Sequence, residues 1–334
     1  MTNLFSEPKT SFHTTTRTEF LPHKPEKGMS YAGFLERLGQ VRPAAVVLGE
    51  QDEDRYHLYQ TWDDEKRGTT IPVPPGIMEL CKDTRTCEEV MSKVSVPLAP
   101  SDVEHIEEAT KGQNDCREWS AQRQGRLTSS IFKDIQSRLH TGNNPDTLVD
   151  SILGARSVPQ YLPAIKYGHR MEAVAAKKYA DIMRSRRHSK MKVENCGLFV
   201  LPDVPYLGAS PDRLVQCNCC GQGLLEIKCP YSCAGIAPSP DTVDYLEETD
   251  ELVQLKRTHK YYFQMQGQMA ITGRDFCDFF VFSQQGYYLE RIVRDRLFWD
   301  NLVKDLKLFY SQYIATKIAD MNKDSQQIVR QVLV

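Results

Sequence analysis

Asp212, Glu226 and Lys228 have the types and the spacing to do chemistry in this 334-residue chain. A strand over 223–229, within Leu225-Glu226-Ile227-Lys228-Cys229-Pro230, turns Glu226 and Lys228 to one face and Leu225 and Ile227 to the other, because strand side chains alternate. Asp212 ends the segment Gly208-Ala209-Ser210-Pro211-Asp212 on the preceding strand, 206–216, with a Gly- and Cys-containing turn between the two. Two carboxylates and one amine then converge on one face of a sheet. Carboxylate oxygens suit a hard cation such as Mg²⁺, and a metal-bound water beside a lysine is equipment for phosphodiester hydrolysis. An Asp and an E-x-K triplet also occur on ordinary solvated strand faces, so the nuclease reading rests on further segments in the right order.

Periodicity locates the elements that must position these residues. Ser101-Asp102-Val103-Glu104 reads as a capping box opening a helix to about 111. Helices follow over 115–124 and 129–139, the second begun by Ser129 and Ser130. A helix over 163–184 has Tyr167, Met171, Val174, Ala175 and Tyr179 on its apolar stripe and carries Glu172, a further carboxylate for the sheet it packs on. Strands over 194–201, 206–216 and 223–229, a helix over 254–272, strands over 276–283 and 287–293, and a closing helix over 297–317 complete a mixed α/β layout with one central sheet. On helix 254–272, Gln264 and Gln268 lie one turn apart and share a face with Tyr261. Buried amides need partners, and these are read as holding a lysine or a water. Between helices 115–124 and 129–139, the segment Trp119 to Ser130 offers hydroxyls and free backbone N–H groups to a phosphate, with Arg123 and Arg126 adding charge. Simple N-capping explains the Ser/Thr cluster equally well.

Composition sets the class. The chain is 40% hydrophobic and 26% charged, as ordinary globular proteins are. No apolar run is long enough to span a bilayer, and MTNLFSEPKT lacks the apolar core of a signal peptide. Ten cysteines without such a signal imply reduced thiols inside a cell, nuclear or cytoplasmic. The net charge of −2 gives no hint of nucleic acid, but its distribution does. Nine Lys/Arg between Lys166 and Lys192 face only Glu172 and Asp181, whereas Asp241–Glu251 holds six acidic residues and no basic one. A polyanion would be drawn to the first region and repelled from the second. Residues 1–100, with an amphipathic piece at 30–39, an acidic patch at Glu50–Asp54 and the Pro-rich Ile71–Gly76, read as a lead of unknown role. The catalytic domain is expected over 101–320 and a tail over 321–334.

Taken together, W-x3-R-x-G-x-[IL]-T-x-S, Y-G-x3-E, G-A-S-P-D, L-E-I-K-C-P and Y-x-Q-x-Q resemble the lambda-type exonuclease/YqaJ viral recombinase family, within the PD-(D/E)XK nuclease superfamily. The resemblance runs from about Asp102 to about 317. It implies a restriction-endonuclease-like core, a central mixed sheet flanked by helices, and 5′→3′ exonuclease activity on double-stranded DNA. By position it implies metal ligands at Glu172, Asp212, Glu226 and the Ile227 carbonyl, with Lys228 and Gln264 completing the catalytic set. Two Mg²⁺ ions about 4 Å apart are implied, with Mn²⁺ able to substitute. Lys228 would assist deprotonation of the attacking water or screen charge, and Gln264 would orient that lysine or water. Arg123 and Ser130, with Arg126 and Ser129 beside them, fall on the family's 5′-phosphate pocket. A further basic residue of that pocket has no counterpart in register, Arg138 being near but offset. The implied partners are double-stranded DNA ends and a single-strand annealing or recombination protein, with no membrane.

Cys217, Cys219, Cys220, Cys229 and Cys233 surround the Asp212–Glu226 turn. Cys217-x-Cys219-Cys220 departs from the C-x2-C spacing of common zinc knuckles. A structural zinc there, completed by Cys229 and Cys233 if they fold back, competes with small buried thiols in a tight hairpin. Three other functions compete with the exonuclease: an inactive module that holds DNA ends, a restriction-type endonuclease, and a zinc-bound interaction protein. The first is disfavoured because every proposed catalytic residue is present, the second by the Arg123/Ser130 pocket, and the third because it explains none of the other motifs.

Overall fold

The computed structural model describes residues 73–155, 161–186, 188, 190–249 and 252–332. The segments 30–39 and Glu50–Asp54, with Ile71 and Pro72, lie outside them. In chain order the helices and strands begin with α1 (Ile77–Leu80), α2 (Cys87–Val94), α3 (Pro100–Ala109), α4 (Arg117–Arg123), β1 (Leu127–Thr128), α5 (Phe132–Thr141) and α6 (Asp146–Ile152). Next come α7 (Pro163–Ser185), β2 (Lys192–Glu194), β3 (Phe199–Val200), β4 (Leu207–Ala209), β5 (Arg213–Cys217) and β6 (Gly221–Lys228). The chain continues through β7 (Leu246–Thr249), β8 (Leu252–Leu255), α8 (Lys260–Thr272), β9 (Phe276–Ser283), β10 (Gly286–Val293), α9 (Arg296–Phe309) and α10 (Ala315–Val332). Two compact units share these elements.

The first unit comprises the described parts of Pro159–Glu194 and Pro211–Asn301. Its sheet has the order β10-β9-β6-β5-β2, with β6 and β9 parallel and every other pair antiparallel. Alternation along the central strands sorts the side chains by face. Leu225, Ile227, Phe280 and Phe282 join Tyr167, Met171, Ala175 and Tyr179 of α7 in one core. Leu224, Phe279 and Val281 join Tyr262, Met265 and Met269 of α8 in the other. β9 is buried at every position, as a strand covered on both faces should be. This is a mixed α/β core, a five-stranded sheet with α7 on one face and α8 on the other.

The second unit comprises the described parts of Pro22–Val158, Asn195–Ser210 and Leu302–Val334. Its small sheet, β1-β4-β3, packs Leu198 and Val200 against Ile106 of α3. Tyr206 stacks on Tyr310 with ring centroids 4.0 Å apart, and the Tyr310 hydroxyl donates to the Gly125 carbonyl.

Several elements differ from the sequence reading for identifiable reasons. α3 begins at Pro100 and its N-cap, Ala99, makes no side-chain bond, so Ser101 is inside the helix rather than its cap. Proline at the first helical position needs no N–H and presets φ, which moves the cap from Ser101 to Ala99 and starts the helix at Pro100. Among the described residues a capping box is found instead at Thr86 with Glu89, at α2. Ser129 and Ser130 form a 3-10 turn before α5 rather than its first turn. Residues 254–259 are not helical: β7 and β8 make a hairpin, and α8 starts only at Lys260, capped by His259. The closing helix passes through a π turn at Tyr310–Ile314 and runs on to Val332.

Residues 73–99 are built into the second unit. Ile77, Cys81, Val90 and Val94 are buried there. Gln122 donates to the Pro74 carbonyl at 2.6 Å, the Leu98 N–H donates to the Pro202 carbonyl, and the Asn322 amide donates to the carbonyls of Cys81 and Thr84. Each buried aliphatic side chain of this kind stabilises by about 1.5–3 kcal/mol. A chain beginning at residue 101 should therefore be markedly less soluble and melt lower than one beginning at residue 73. Thermal unfolding followed by circular dichroism checks this, and equal melting temperatures would show the segment to be dispensable.

Candidate active site

The candidate site lies within the first unit, at the end of the β5–β6 pair. Glu226 and Lys228 do share a face of β6, and that face meets α8. Glu226 is only 1% exposed, and its carboxylate is fully engaged. Oε1 accepts from Lys228 Nζ at 2.5 Å and from Gln264 Nε2 at 2.6 Å, while Oε2 accepts from Gln268 Nε2 at 2.7 Å. The two amides one turn apart on α8 thus hold a carboxylate, where the sequence reading gave them a lysine or a water. Lys228 Nζ also sits 4.8 Å from the centroid of the Tyr261 ring, a cation–π contact.

Asp212 precedes β5 in a bend, so it leaves the strand it was expected to occupy, and Pro211 beside it favours that break. Its Oδ2 accepts the Ile227 N–H at 2.6 Å, which fixes the carboxylate against β6. Glu172, on α7, reaches the same strand pair but accepts from Arg213 NH1 at 2.8 Å. Charge is crowded here. Burial, then Glu226 and Glu172, push the Asp212 carboxyl well above the usual range against the opposing pull of Lys228 and the Ile227 N–H. Burial works against the Lys228 ammonium, but Glu226 and Asp212 outweigh it and raise its pKa above that of a free lysine. Burial and the neighbouring Glu172 and Asp212 push the Cys229 thiol up to about 12.

This donor set fits a divalent cation. The candidate side chains Glu172, Asp212 and Glu226 all offer carboxylate oxygens, the hard donors that Mg²⁺ and Mn²⁺ take, and the repulsion that Glu226 and Glu172 add to burial in raising the Asp212 carboxyl is one a cation would relieve. Among the described residues these three carboxylates do not draw together into a metal-sized cluster, and Glu172 is held by Arg213.

The residues assigned to the phosphate fall in the second unit. Arg123 stacks 4.1 Å above the Trp119 ring and donates to Thr128 Oγ1 at 3.2 Å. Thr128 Oγ1 is 3.5 Å from the exposed Ser130 hydroxyl, and Trp119 Nε1 donates to Ser210 Oγ at 3.0 Å. Burial lowers the Arg123 pKa to about 10, which leaves it cationic at neutral pH. Arg126 and Ser129 are placed otherwise than expected: each is 3% exposed. Arg126 donates to the Pro205 carbonyl and to Gln122, so its guanidinium ties the loop together instead of facing a phosphate.

Residues 118–275 match the YqaJ-like viral recombinase domain. That domain holds all of Arg123, Ser130, Glu172, Asp212, Glu226, Lys228 and Gln264. Among solved structures, an alkaline exonuclease from Laribacter hongkongensis is 26% identical, covering 63% of this chain and 98% of its own, with a TM-score of 0.47. The shutoff and exonuclease protein of Kaposi's sarcoma-associated herpesvirus is 14% identical, covering 87% and 91%, with a TM-score of 0.46. No curated protein matches the chain. Among the described residues, no helix is long and apolar enough to cross a membrane.

The Cys-rich turn is also within the first unit. Cys217, Cys219 and Cys220 come together, but the fourth neighbour is His188, which the sequence reading missed, and not Cys229 or Cys233. Cys229 lies beside the carboxylates, and Cys233 is buried in the core under α8.

The two glutamine contacts predict a coupling. Gln264→Leu should destabilise the fold by about 1–3 kcal/mol, because a buried carboxylate loses a donor. In a Glu226→Leu background the same change should cost little. A urea-denaturation double-mutant cycle measures this, and additive losses would show that the amide acts elsewhere.

Proposed function

We propose that this chain is a metal-dependent exonuclease that degrades linear double-stranded DNA from its 5′ ends, and that the Asp212–Glu226–Lys228 cluster is its catalytic centre. The observation that carries the proposal is the convergence of Asp212, Glu226 and Lys228 at one end of the β5–β6 pair, inside a YqaJ-like domain. Asp212, Glu226 and the Ile227 carbonyl would hold one Mg²⁺, and Glu172 would help place a second after exchanging Arg213 for it. When bound, such a metal acidifies a water and polarises a phosphoryl oxygen.

The protein's own groups supply the rest. The two α8 amides fix the Glu226 carboxylate before substrate arrives. Lys228, held as an ammonium by its carboxylate neighbours, is placed to screen charge on the scissile phosphate rather than to take a proton. Arg123, braced by Trp119, and the Ser130 hydroxyl would receive the 5′-terminal phosphate, with Arg126 and Ser129 holding the loop beneath them. The exposed Lys166, Arg170, Lys177, Lys178 and Arg184 along α7 give a basic surface that favours a polyanion.

Cleavage of linear duplex should require Mg²⁺ or Mn²⁺, and Asp212→Ala or Glu226→Ala should abolish it. Activity persisting in excess EDTA would refute the metal assignment, binding of DNA ends without cleavage would favour the inactive module, and equal cutting of closed circles would favour an endonuclease. Lys228→Ala should lower turnover by ~10²-fold or more, the scale for one charge-stabilising group, with DNA binding largely kept in a filter-binding assay.

The pH dependence follows from Asp212. Its raised pKa means that lowering the pH protonates the carboxylate sooner than in an ordinary aspartate, and the metal must displace that proton. The Mg²⁺ concentration for half-maximal rate should therefore rise as pH falls, and added Mg²⁺ should restore the rate. A requirement independent of pH would remove Asp212 from the ligand set.

Wild-type enzyme should also cut 5′-phosphorylated duplexes faster than 5′-hydroxyl ones, and Arg123→Ala should erase the difference. Matched initial rates on the two ends test this, and equal wild-type rates would refute the pocket.

A further inference from the structure

We propose that His188, Cys217, Cys219 and Cys220 form a structural zinc site that staples the far end of the β5–β6 hairpin to the segment following α7. One ligand atom from each of the four lies within 4.8 Å of all the others. His188 Nδ1 is 3.1 Å from Cys219 Sγ and 3.5 Å from each of Cys217 Sγ and Cys220 Sγ. Cys219 Sγ is 2.9 Å from Cys217 Sγ and 3.7 Å from Cys220 Sγ. A tetrahedral ion with Zn–S bonds of about 2.3 Å and a Zn–N bond of about 2.0 Å sets its ligands roughly 3.5–3.8 Å apart. The His188–Cys217, His188–Cys220 and Cys219–Cys220 separations fall in that range, and Cys219 must draw back from His188 Nδ1 and from Cys217 Sγ to admit the ion.

The chemistry selects the metal. Three thiolates and one imidazole form a Cys3His set, the soft and borderline donors that structural zinc takes in preference to Mg²⁺ or Mn²⁺. All four positions are filled by protein, so no site is open for a water, as expected of a structural ion rather than a catalytic one. The surroundings suit a thiolate cluster. The Arg291 guanidinium, which forms a bidentate pair with the buried Asp278, also lies against the Cys220 thiol. The Tyr179 hydroxyl donates to the same Asp278 at 2.6 Å, so the positive charge beside the cluster is fixed from both β9 and α7.

Placement gives the site its role. Cys217 ends β5, Cys219 and Cys220 make the turn, and Gly221 opens β6 with φ of +78°, a conformation that glycine adopts without strain. His188 reaches them because β2, just after it in the chain, pairs with β5. Asp212 lies at the opposite end of β5, about 16 Å away at strand rise. The ion would hold the hairpin whose other end carries the carboxylates, and take no part in cleavage.

The test uses the full-length protein purified under reducing conditions, with zinc binding read in the absence of DNA so that it stands or falls apart from the nuclease reading. Wild type should retain one zinc per chain through gel filtration, and Co²⁺ in its place should show the intense visible bands of a tetrahedral thiolate site. Against a chromophoric chelator, Cys219→Ser and His188→Ala should each weaken Zn²⁺ binding by ~10-fold or more, since loss of even an outer partner of a metal ligand has effects of that order. Cys229→Ser, whose thiol lies outside the cluster, should bind as wild type does. Sub-stoichiometric zinc in the wild type, unchanged affinity in both ligand variants, or a Cys217–Cys219 disulfide in the reduced preparation would overturn the proposal.

Discussion

Glu226 is an acid placed inside the protein, and the first unit is arranged around making that tolerable. An ion moved from water into a protein interior loses several kcal/mol of solvation unless donors replace the water. Three donors do so here: two amides from α8 and the ammonium of Lys228. This fixes α8 against one face of β6, which in turn determines where Met265 and Met269 pack. Lys228 is kept charged by the same arrangement. The carboxylate, the lysine and the helix are therefore a single device, and the apolar cores on the two faces of the sheet hold it in register.

Much of this device is legible in the residues because it depends on alternation. E-x-K on a strand needs only the period of two to put its charges together, and the apolar pair Leu225/Ile227 on the other face confirms the strand. What α8 holds was not legible. Gln264 and Gln268 are 38 and 42 residues from Glu226 in the chain, and nothing local says whether an amide meets a lysine, a water or a carboxylate. Arg126 shows the same limit. Its neighbours in sequence suggest a phosphate loop, but a carbonyl 79 residues on claims its guanidinium.

His188 and the β7–β8 hairpin escaped for different reasons. His188 stands in a run of basic residues that reads as a solvated face, and its nearness to Cys219, 31 residues away, comes only from the pairing of β2 with β5. The hairpin covers an acid-rich segment whose residues have low strand propensity. Its pairing is set by Leu246 opposite Leu255 and by the core that those two side chains enter. The start of α8 moved accordingly, from 254 to Lys260, because β8 takes the residues up to Leu255. Periodicity located the long, strongly patterned elements and lost the short ones that only tertiary contacts specify.

The parallel pairing of β6 with β9 also dictates when the carboxylate–lysine cluster can be assembled. Glu226 stands opposite Phe279 and Lys228 opposite Val281, so the strand bearing both charges has an open edge until residues beyond 280 are present. The α8 amides arrive only shortly before. During synthesis from the N-terminus, Glu172, Asp212 and Glu226 emerge before the α8 amides and the β9 strand that complete their setting. A nascent chain still attached to the ribosome thus carries the three carboxylates without the setting that α8 and β9 give them until those last elements have left the exit tunnel.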